Sequence, residues 1–178
     1  MSKFQSINLP VLEDKKVETE IRKMGLDILK KLNEVYDAIP FVSQEYSYTP
    51  SNFQGFGTVT GINFKWRRVG DKMQIRGTFT SGTVSASEAQ IGLPSPYQST
   101  SELPTLQAVG SAARSSVGAE TFTMLIEPSK IYLTIGVADG ARSGLVKQNA
   151  NALIGAGEQL SIFAEIPIAQ WQGEGVHE

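Results

Sequence analysis

The sequence predicts a mainly β protein in which an N-terminal coiled-coil helix precedes an antiparallel β-sandwich. Two observations lead to this fold class. Apolar residues recur every three or four positions through the first quarter of the chain, which is the period of an amphipathic helix. After Pro40, short runs of β-branched and aromatic residues are separated by Gly, Pro, Ser and Thr, which is typical of an all-β body.

The predicted helix covers residues 12–40 and carries one continuous apolar stripe. Outside the stripe, Glu18 precedes Arg22 and Asp27 precedes Lys31 by four residues, a spacing that stabilises a helix by about 0.2–0.5 kcal/mol per pair. The stripe consists of Val17, Ile21, Met24, Ile28, Leu32, Val35 and Ile39.

The spacing of the stripe favours a helical stalk that packs against copies of itself. The stripe repeats as two blocks of eleven residues, 17–28 and 28–39, which predicts a nearly straight or weakly right-handed supercoil. The same spacing also fits a helix that docks on the β body of its own chain, and so few turns do not separate the two interpretations.

Composition limits the domain count and the function classes. The 178 residues, 40% of them hydrophobic, are enough for one core, so we expect a linker at 41–56 and a single head domain at 57–178. A net charge of −2, without a basic run interleaved with aromatic residues, argues against nucleic acid as a partner. No apolar stretch has transmembrane length and no signal-peptide core follows Met1, so we expect synthesis in the cytoplasm without membrane insertion.

Catalysis finds little support in the sequence. There is no cysteine, and the single histidine, His177, does not suffice for a metal site or a catalytic triad. The carboxylates are scattered over predicted turns, where a solvated acid is the ordinary role. We therefore expect no enzymatic activity, no catalytic residues, no metal and no cofactor.

Two hairpins can be predicted together with their register. The first hairpin turns at Gly70-Asp71, a two-residue loop of the kind that favours a type I′ or II′ turn. The second hairpin turns at Pro128-Ser129. Each hairpin then has one apolar face, and the first has a cationic opposite face. The predicted pairs of the first hairpin are Trp66–Ile75, Phe64–Gly77, Ile62–Phe79, Arg67–Gln74 and Lys65–Arg76; those of the second are Ile126–Ile131, Met124–Leu133, Phe122–Ile135 and Glu127–Lys130.

A third clear strand and three loops complete the predicted β body. Leu160, Ile162, Ala164, Ile166 and Ile168 alternate with other residues, which indicates a half-buried strand. The segments 80–88, 95–105 and 110–119 are rich in Ser, Thr, Gly and Pro, and this composition predicts loops.

Four segments of the predicted β body stand out: FKWRRVGD at 64–71, GTFTSGT at 77–83, IGLP at 91–94 and EIPIAQW at 165–171. These segments resemble the head domains of bacteriophage tail fibres and related virion fibres. The resemblance implies a homotrimeric fibre located on the virion, with an attachment segment at 1–11, a helical stalk at 12–40 and a jelly-roll head like those of tumour necrosis factor and complement proteins. Tail fibres are usually much longer, so the chain is similar to a short head fibre, a collar fibre or a receptor-binding tip.

Five residues are candidates for ligand binding. Lys65 opposite Arg76 is a like-charge pair, which is unfavourable unless an anion lies nearby. That anion is either an acidic group of a bacterial surface polysaccharide or a glutamate from an adjacent strand or subunit. Arg67 lies on the same face, and Tyr97 and Trp171 lie beside loops, where they either stack on a sugar or pack within the protein.

Two functions follow for such a fibre. In the first, the trimer mediates host attachment by binding a cell-surface glycan, and three copies compensate for weak single sites. In the second, the protein is a purely structural head fibre, collar fibre or capsid decoration protein without receptor binding. Both involve other virion proteins as partners through the N-terminal segment.

Overall fold

The structure, a computed structural model, describes residues 15–38, 42–115, 120–139 and 144–171. The chain divides into two compact units, a helical one and a β body that begins at Val42. The predicted attachment segment, 1–11, lies outside the described residues.

The helical unit contains α1, which spans Lys15–Ala38 and lies within the predicted range. The predicted pair of Glu18 and Arg22 forms with a separation of 2.6 Å between oxygen and nitrogen. In the described helix Asp27 and Lys31 form no ion pair; the neighbouring Lys30 approaches Glu34 to 4.0 Å instead. Ile39 and Pro40 lie outside the described residues.

The β body consists of one antiparallel sheet, so the prediction of a mainly β, antiparallel fold with a helix in the first quarter is confirmed. The strand order is β1-β3-β4-β10-β6-β7-β8-β5-β2, and β9 pairs with β8. A short helix, α2, spans Ala150–Leu153, and a 3-10 turn spans Ala169–Trp171. The strands are β1 (Tyr46–Tyr48), β2 (Phe53–Gln54), β3 (Thr60–Val69), β4 (Lys72–Thr80), β5 (Gln90–Gly92), β6 (Gln107–Ser115), β7 (Glu120–Ile126), β8 (Tyr132–Asp139), β9 (Gly144–Lys147) and β10 (Gln159–Pro167).

The sheet curls so that its two ends pack against each other across the core. Phe53 belongs to β2 at one end of the strand order, yet its ring centroid lies 4.9 Å from Phe79 on β4 and 5.9 Å from Phe64 on β3. Phe56, just after β2, is fully buried against Phe79. Aromatic packing between the ends therefore encloses the core without any hydrogen bonds between the end strands.

The first hairpin, β3 and β4, has the predicted turn and most of the predicted register. The pairing of Ile62 with Phe79 is wrong. The register shifts between Thr60 and Asn63, next to Gly61 with a φ of +60°, so β3 carries one extra residue there. Because one residue of shift reverses the face, Ile62 is 37% exposed, while Phe79 remains in the core.

The register predicted for the second hairpin, β7 and β8, is wrong by two residues. Met124 pairs with Ile135, where the sequence predicted Leu133. A shift of two keeps every side chain on its face, so all three of these residues are still buried. The loop is longer than a two-residue turn, and Ile131 is 61% exposed in it.

One predicted loop is instead a strand. Residues 110–115 belong to β6, which pairs with β7 and with β10. Small residues are needed here because the neighbouring backbone comes close: a Cβ at Gly110 would overlap the carbonyl oxygen of Phe163. Ala112 is buried on the same strand. Tertiary packing thus overrides the loop-like composition.

The segment predicted as a linker, 41–56, also contributes to the sheet in its described part. It contains β1 and β2, and β1 pairs with β3 in the register Tyr46 with Trp66 and Tyr48 with Phe64. The third predicted strand is confirmed as β10, which lies in the middle of the sheet between β4 and β6.

Candidate functional site

The face of β3, β4 and β10 that points away from the core forms a polar surface, here called the outer face. It arises because side chains alternate along each strand, so the core residues on one side leave the residues between them on the other. Paired residues lie side by side across the three strands in rows. The rows are Arg67, Gln74 and Glu165; Lys65, Arg76 and Phe163; and Asn63, Thr78 and Ser161.

The two cations in the middle row share one carboxylate. Glu45 Oε2 lies 2.7 Å from Arg76 Nη2 and 3.9 Å from Lys65 Nζ. Glu45 immediately precedes β1, the strand that pairs with β3. A glutamate beside the adjacent strand, one of the two anions considered from the sequence, therefore lies next to both cations.

A cavity of about 380 Å³ opens on the outer face beside these cations. Its lining includes Lys65 and Arg76 together with the polar residues Asn63, Thr78 and Ser161. Phe163, in the same row as Arg76, is 43% exposed. The surface therefore offers positive charge, neutral donors and acceptors, and one aromatic ring, the groups that a polar ligand with an apolar ring face would use.

Arg67, also a predicted ligand residue, forms a hydrogen bond with a neighbouring side chain of the outer face. Its Nε donates a hydrogen bond to Gln74 Oε1 at 2.6 Å, and Gln74 Nε2 donates to Glu165 Oε1 at 2.9 Å. These bonds link the three residues of one row into a chain. Arg67 is half-buried in it and does not contribute to the cavity lining.

The two aromatic candidates lie elsewhere, on the core side of β3. Tyr97 and Trp171 have ring centroids 5.0 Å apart, and Trp66 packs on both at 5.1 and 6.1 Å. The guanidinium carbon of Arg68 lies 5.0 Å from the centroid of the Trp171 ring. Trp171 is only 6% exposed, which favours packing within the protein, the second of the two roles considered from the sequence. Tyr97 is half-buried in the same cluster.

Sequence reasoning found the cations of the outer face but missed the groups around them. The alternation of β10 contained a usable signal, because Ser161 and Phe163 occupy the positions between its core residues. No sequence pattern indicated that Glu45 lies near these cations. Its position depends on the pairing of β1 with β3, and β1 lies in a segment that was predicted as a linker.

The predicted stalk residues are exposed on α1. Val17, Met24, Ile28, Leu32 and Val35 have exposed fractions of 43–62%, and Ile21 is half-buried. Ile39, the seventh member of the stripe, lies outside the described residues. A helix with such an exposed apolar face resembles one side of a helical interface.

The described part of the chain contains no group of three or more His, Cys, Asp or Glu side chains that could hold a metal ion. None of the described helices is long and apolar enough to span a membrane.

Comparison of the chain with protein-family models, with curated proteins and with solved structures yields no match.

Proposed function

We propose that the protein is a virion fibre protein: a homotrimer in which α1 forms a coiled-coil stalk and the β body forms a head that binds a host cell-surface glycan. The observation that carries the proposal is the exposed apolar stripe of α1. An apolar stripe that runs along a helix of 24 residues is costly to leave in water.

Association of α1 with copies of itself would bury the stripe. Full burial of one Val, Leu, Ile or Met side chain stabilises by about 1.5–3 kcal/mol. In proteins most of the stability of a helix comes from packing of its apolar face rather than from intrinsic propensity, so burial along the stripe would strongly stabilise α1. Spacing in blocks of eleven suits a short, nearly straight bundle of parallel helices.

For the head, we propose a sandwich of the jelly-roll type. Its support is the curl of the sheet, which brings Phe53 at one end of the strand order against Phe79 near the other. The outer face is the proposed glycan-binding surface, since it combines cations, hydroxyls, an amide and an exposed phenyl ring around a cavity. Three heads on one stalk would present three such surfaces, and avidity would strengthen weak single contacts.

The first test is the solution mass of the purified chain, measured by light scattering coupled to size exclusion. A mass of about three times 19.3 kDa supports the trimer. A monomer would overturn the stalk and favour a helix that folds onto its own β body.

A pair of matched variants tests the stripe itself. Ile28→Asp places a charge on the stripe and should abolish the trimer, because three buried carboxylates would meet near the axis. Leu26→Asp introduces the same charge, but two residues rotate the helix by about 200°, so this position lies opposite the stripe and the trimer should survive. If I28D stayed trimeric, the β body alone would be the unit of assembly.

A structural head fibre, collar fibre or decoration protein without receptor binding is the second candidate. The observation in its favour is that Glu45 already neutralises one charge of Lys65 and Arg76. Experiments that measure adsorption to host cells distinguish the two functions. Binding of the labelled chain to host cells or to purified surface polysaccharide supports adhesion, whereas intact particles that lack the protein and still adsorb normally favour the structural role.

A further inference from the structure

Glu45 occupies a position between two cations that a carboxylate from outside the protein can also occupy. Lys65 Nζ and Arg76 Nη2 contact the same oxygen, Glu45 Oε2. Two positive charges therefore share one negative charge, and a net positive charge remains at the edge of the cavity.

The bond between Glu45 and these cations is easily exchanged. The three side chains are 33–60% exposed, and exposed ion pairs of this kind contribute little to stability, because water solvates the separated charges well. Glu45 itself precedes a strand of only three residues. Release of its carboxylate therefore requires little rearrangement of the sheet.

The cavity beside the cations has the chemistry of a sugar site. The amide of Asn63 and the hydroxyls of Thr78 and Ser161 can donate to and accept from sugar hydroxyls. The exposed ring of Phe163, adjacent to Arg76 across the strands, offers an apolar surface to the C–H face of a sugar ring.

We propose that the outer face binds a carboxylate-bearing sugar residue, a uronic acid, whose carboxylate replaces that of Glu45 between Lys65 and Arg76. The inference deepens the proposed adhesion function and rests on it. A carboxylate is favoured over other anions because the site already accepts one in the structure. Glu45 then acts as an internal competitor that weakens the binding of every anionic ligand at this position, so that only a carboxylate whose sugar also fits the cavity displaces it.

The test is titration calorimetry of the full chain with a galacturonic acid trisaccharide and, as the neutral counterpart, a galactose trisaccharide. Low ionic strength is used because salt screens exposed charges. The acidic trisaccharide should bind at least about tenfold more tightly than the neutral one, since charge-assisted hydrogen bonds are the stronger class.

Variants distinguish competition by Glu45 from a general charge effect. Glu45→Gln should bind the acidic trisaccharide about two- to fivefold more tightly, the fold-change expected for loss of a competing exposed ion pair. The matched control is Glu165→Gln, which removes the same charge from the same face but from a carboxylate bonded to Gln74. Its affinity should stay within about twofold of the unchanged chain. Lys65→Gln and Arg76→Gln should each weaken binding about tenfold.

Several results would overturn the inference. Equal affinity for the two trisaccharides removes the acidic specificity, and absence of binding by both the unchanged chain and E45Q removes the site. Equal gains in E45Q and E165Q reduce the role of Glu45 to long-range charge. The fibre proposal is decided separately, by the solution mass and by binding to host surfaces, so the two failures are distinguishable. Circular dichroism of each variant establishes that it is folded.

Discussion

Ser99 and Lys130 exchange two hydrogen bonds: the Ser99 N–H donates to the Lys130 carbonyl oxygen, and the Lys130 N–H donates to Ser99 Oγ, each at 2.9 Å. Ser99 Oγ also donates to the carbonyl oxygen of Glu127 at 2.7 Å. The turn between β7 and β8 is thus held by a residue from a different loop, and this explains why the predicted two-residue turn does not form.

Replacement of Ser99 by alanine should therefore destabilise the β body. Ser99 is fully buried, and removal of its hydroxyl leaves a backbone donor and a backbone acceptor without their partner, at a cost of about 1–3 kcal/mol. Urea unfolding followed by tryptophan fluorescence measures the change. Ser101→Ala, two residues further along the same loop but exposed, is the control and should change stability by less than about 0.5 kcal/mol. Equal effects of the two substitutions would contradict this account of the turn.

Thr134→Val should increase stability. Thr134 is 1% exposed, and its hydroxyl oxygen has no hydrogen-bond partner among the described residues. Valine has nearly the same shape without the unsatisfied polar group, so a gain of about 1 kcal/mol is expected. In contrast, Thr100 accepts a hydrogen bond from the Glu102 N–H at 3.3 Å, so Thr100→Val should lose stability. Thermal unfolding of the two valine variants distinguishes them, and opposite signs are the expected result.

The ion pairs of Lys147 should lose their contribution at alkaline pH. Partial burial lowers the pKa of Lys147. The hydrogen bond to Glu127, at 2.6 Å, and the negative charges of Glu127 and Glu88 raise it by more, so the pKa of Lys147 lies above its usual value. The added stability is therefore fully present below the unfolded-state pKa of about 10.4 and is lost as the pH rises through the higher folded-state pKa.

Comparison with Lys147→Met isolates this effect from other alkaline titrations. The difference in melting temperature between the unchanged chain and K147M should be constant from neutral pH to about pH 10 and shrink above it. A difference that stayed constant up to about pH 12 would show that the raised pKa of Lys147 is not linked to stability.

Gly110→Ala should disrupt the packing of β6 against β10. Since the added Cβ would overlap the Phe163 carbonyl oxygen, backbone must move, and overpacking of this kind typically costs about 1–3 kcal/mol or more. At Gly155 the nearest atom to an added Cβ is a side-chain oxygen of Glu158, at 3.3 Å, so a small shift of a side chain suffices and Gly155→Ala serves as the mild counterpart. A G110A protein as stable as G155A would be inconsistent with the close strand approach.

The sequence alone predicts features of this fold that depend on neighbouring residues. It does not predict features that depend on contacts between distant segments. Regular alternation located β10, and the Gly70-Asp71 turn located β3 and β4, because both signals lie within a few residues. The shifted register near Ile62 depends on an added residue that no simple alternation indicates. The strand at Gly110 requires knowledge of the neighbouring backbone.

The candidate site divides in the same way. Lys65 and Arg76 could be placed opposite each other from one hairpin, and the sequence correctly indicated that an anion should lie near them. Glu45 reaches them only through the pairing of β1 with β3. Trp171 was a candidate because it lies beside a loop, yet it packs against Trp66 and Tyr97, which are distant in sequence.

The central position of β10 sets an order in which the chain can fold. Among the described strands, β10 alone connects the ladder β1-β3-β4 to the ladder that begins at β6, and it is the last of them to be synthesised. Until Gln159–Pro167 has left the ribosome, no strand joins the two ladders. The sheet is then incomplete, and the apolar faces of both ladders are not yet buried in a common core. By then α1 has long emerged. In the proposed trimer, therefore, neighbouring nascent chains have time to pair their helices before any of the heads can close.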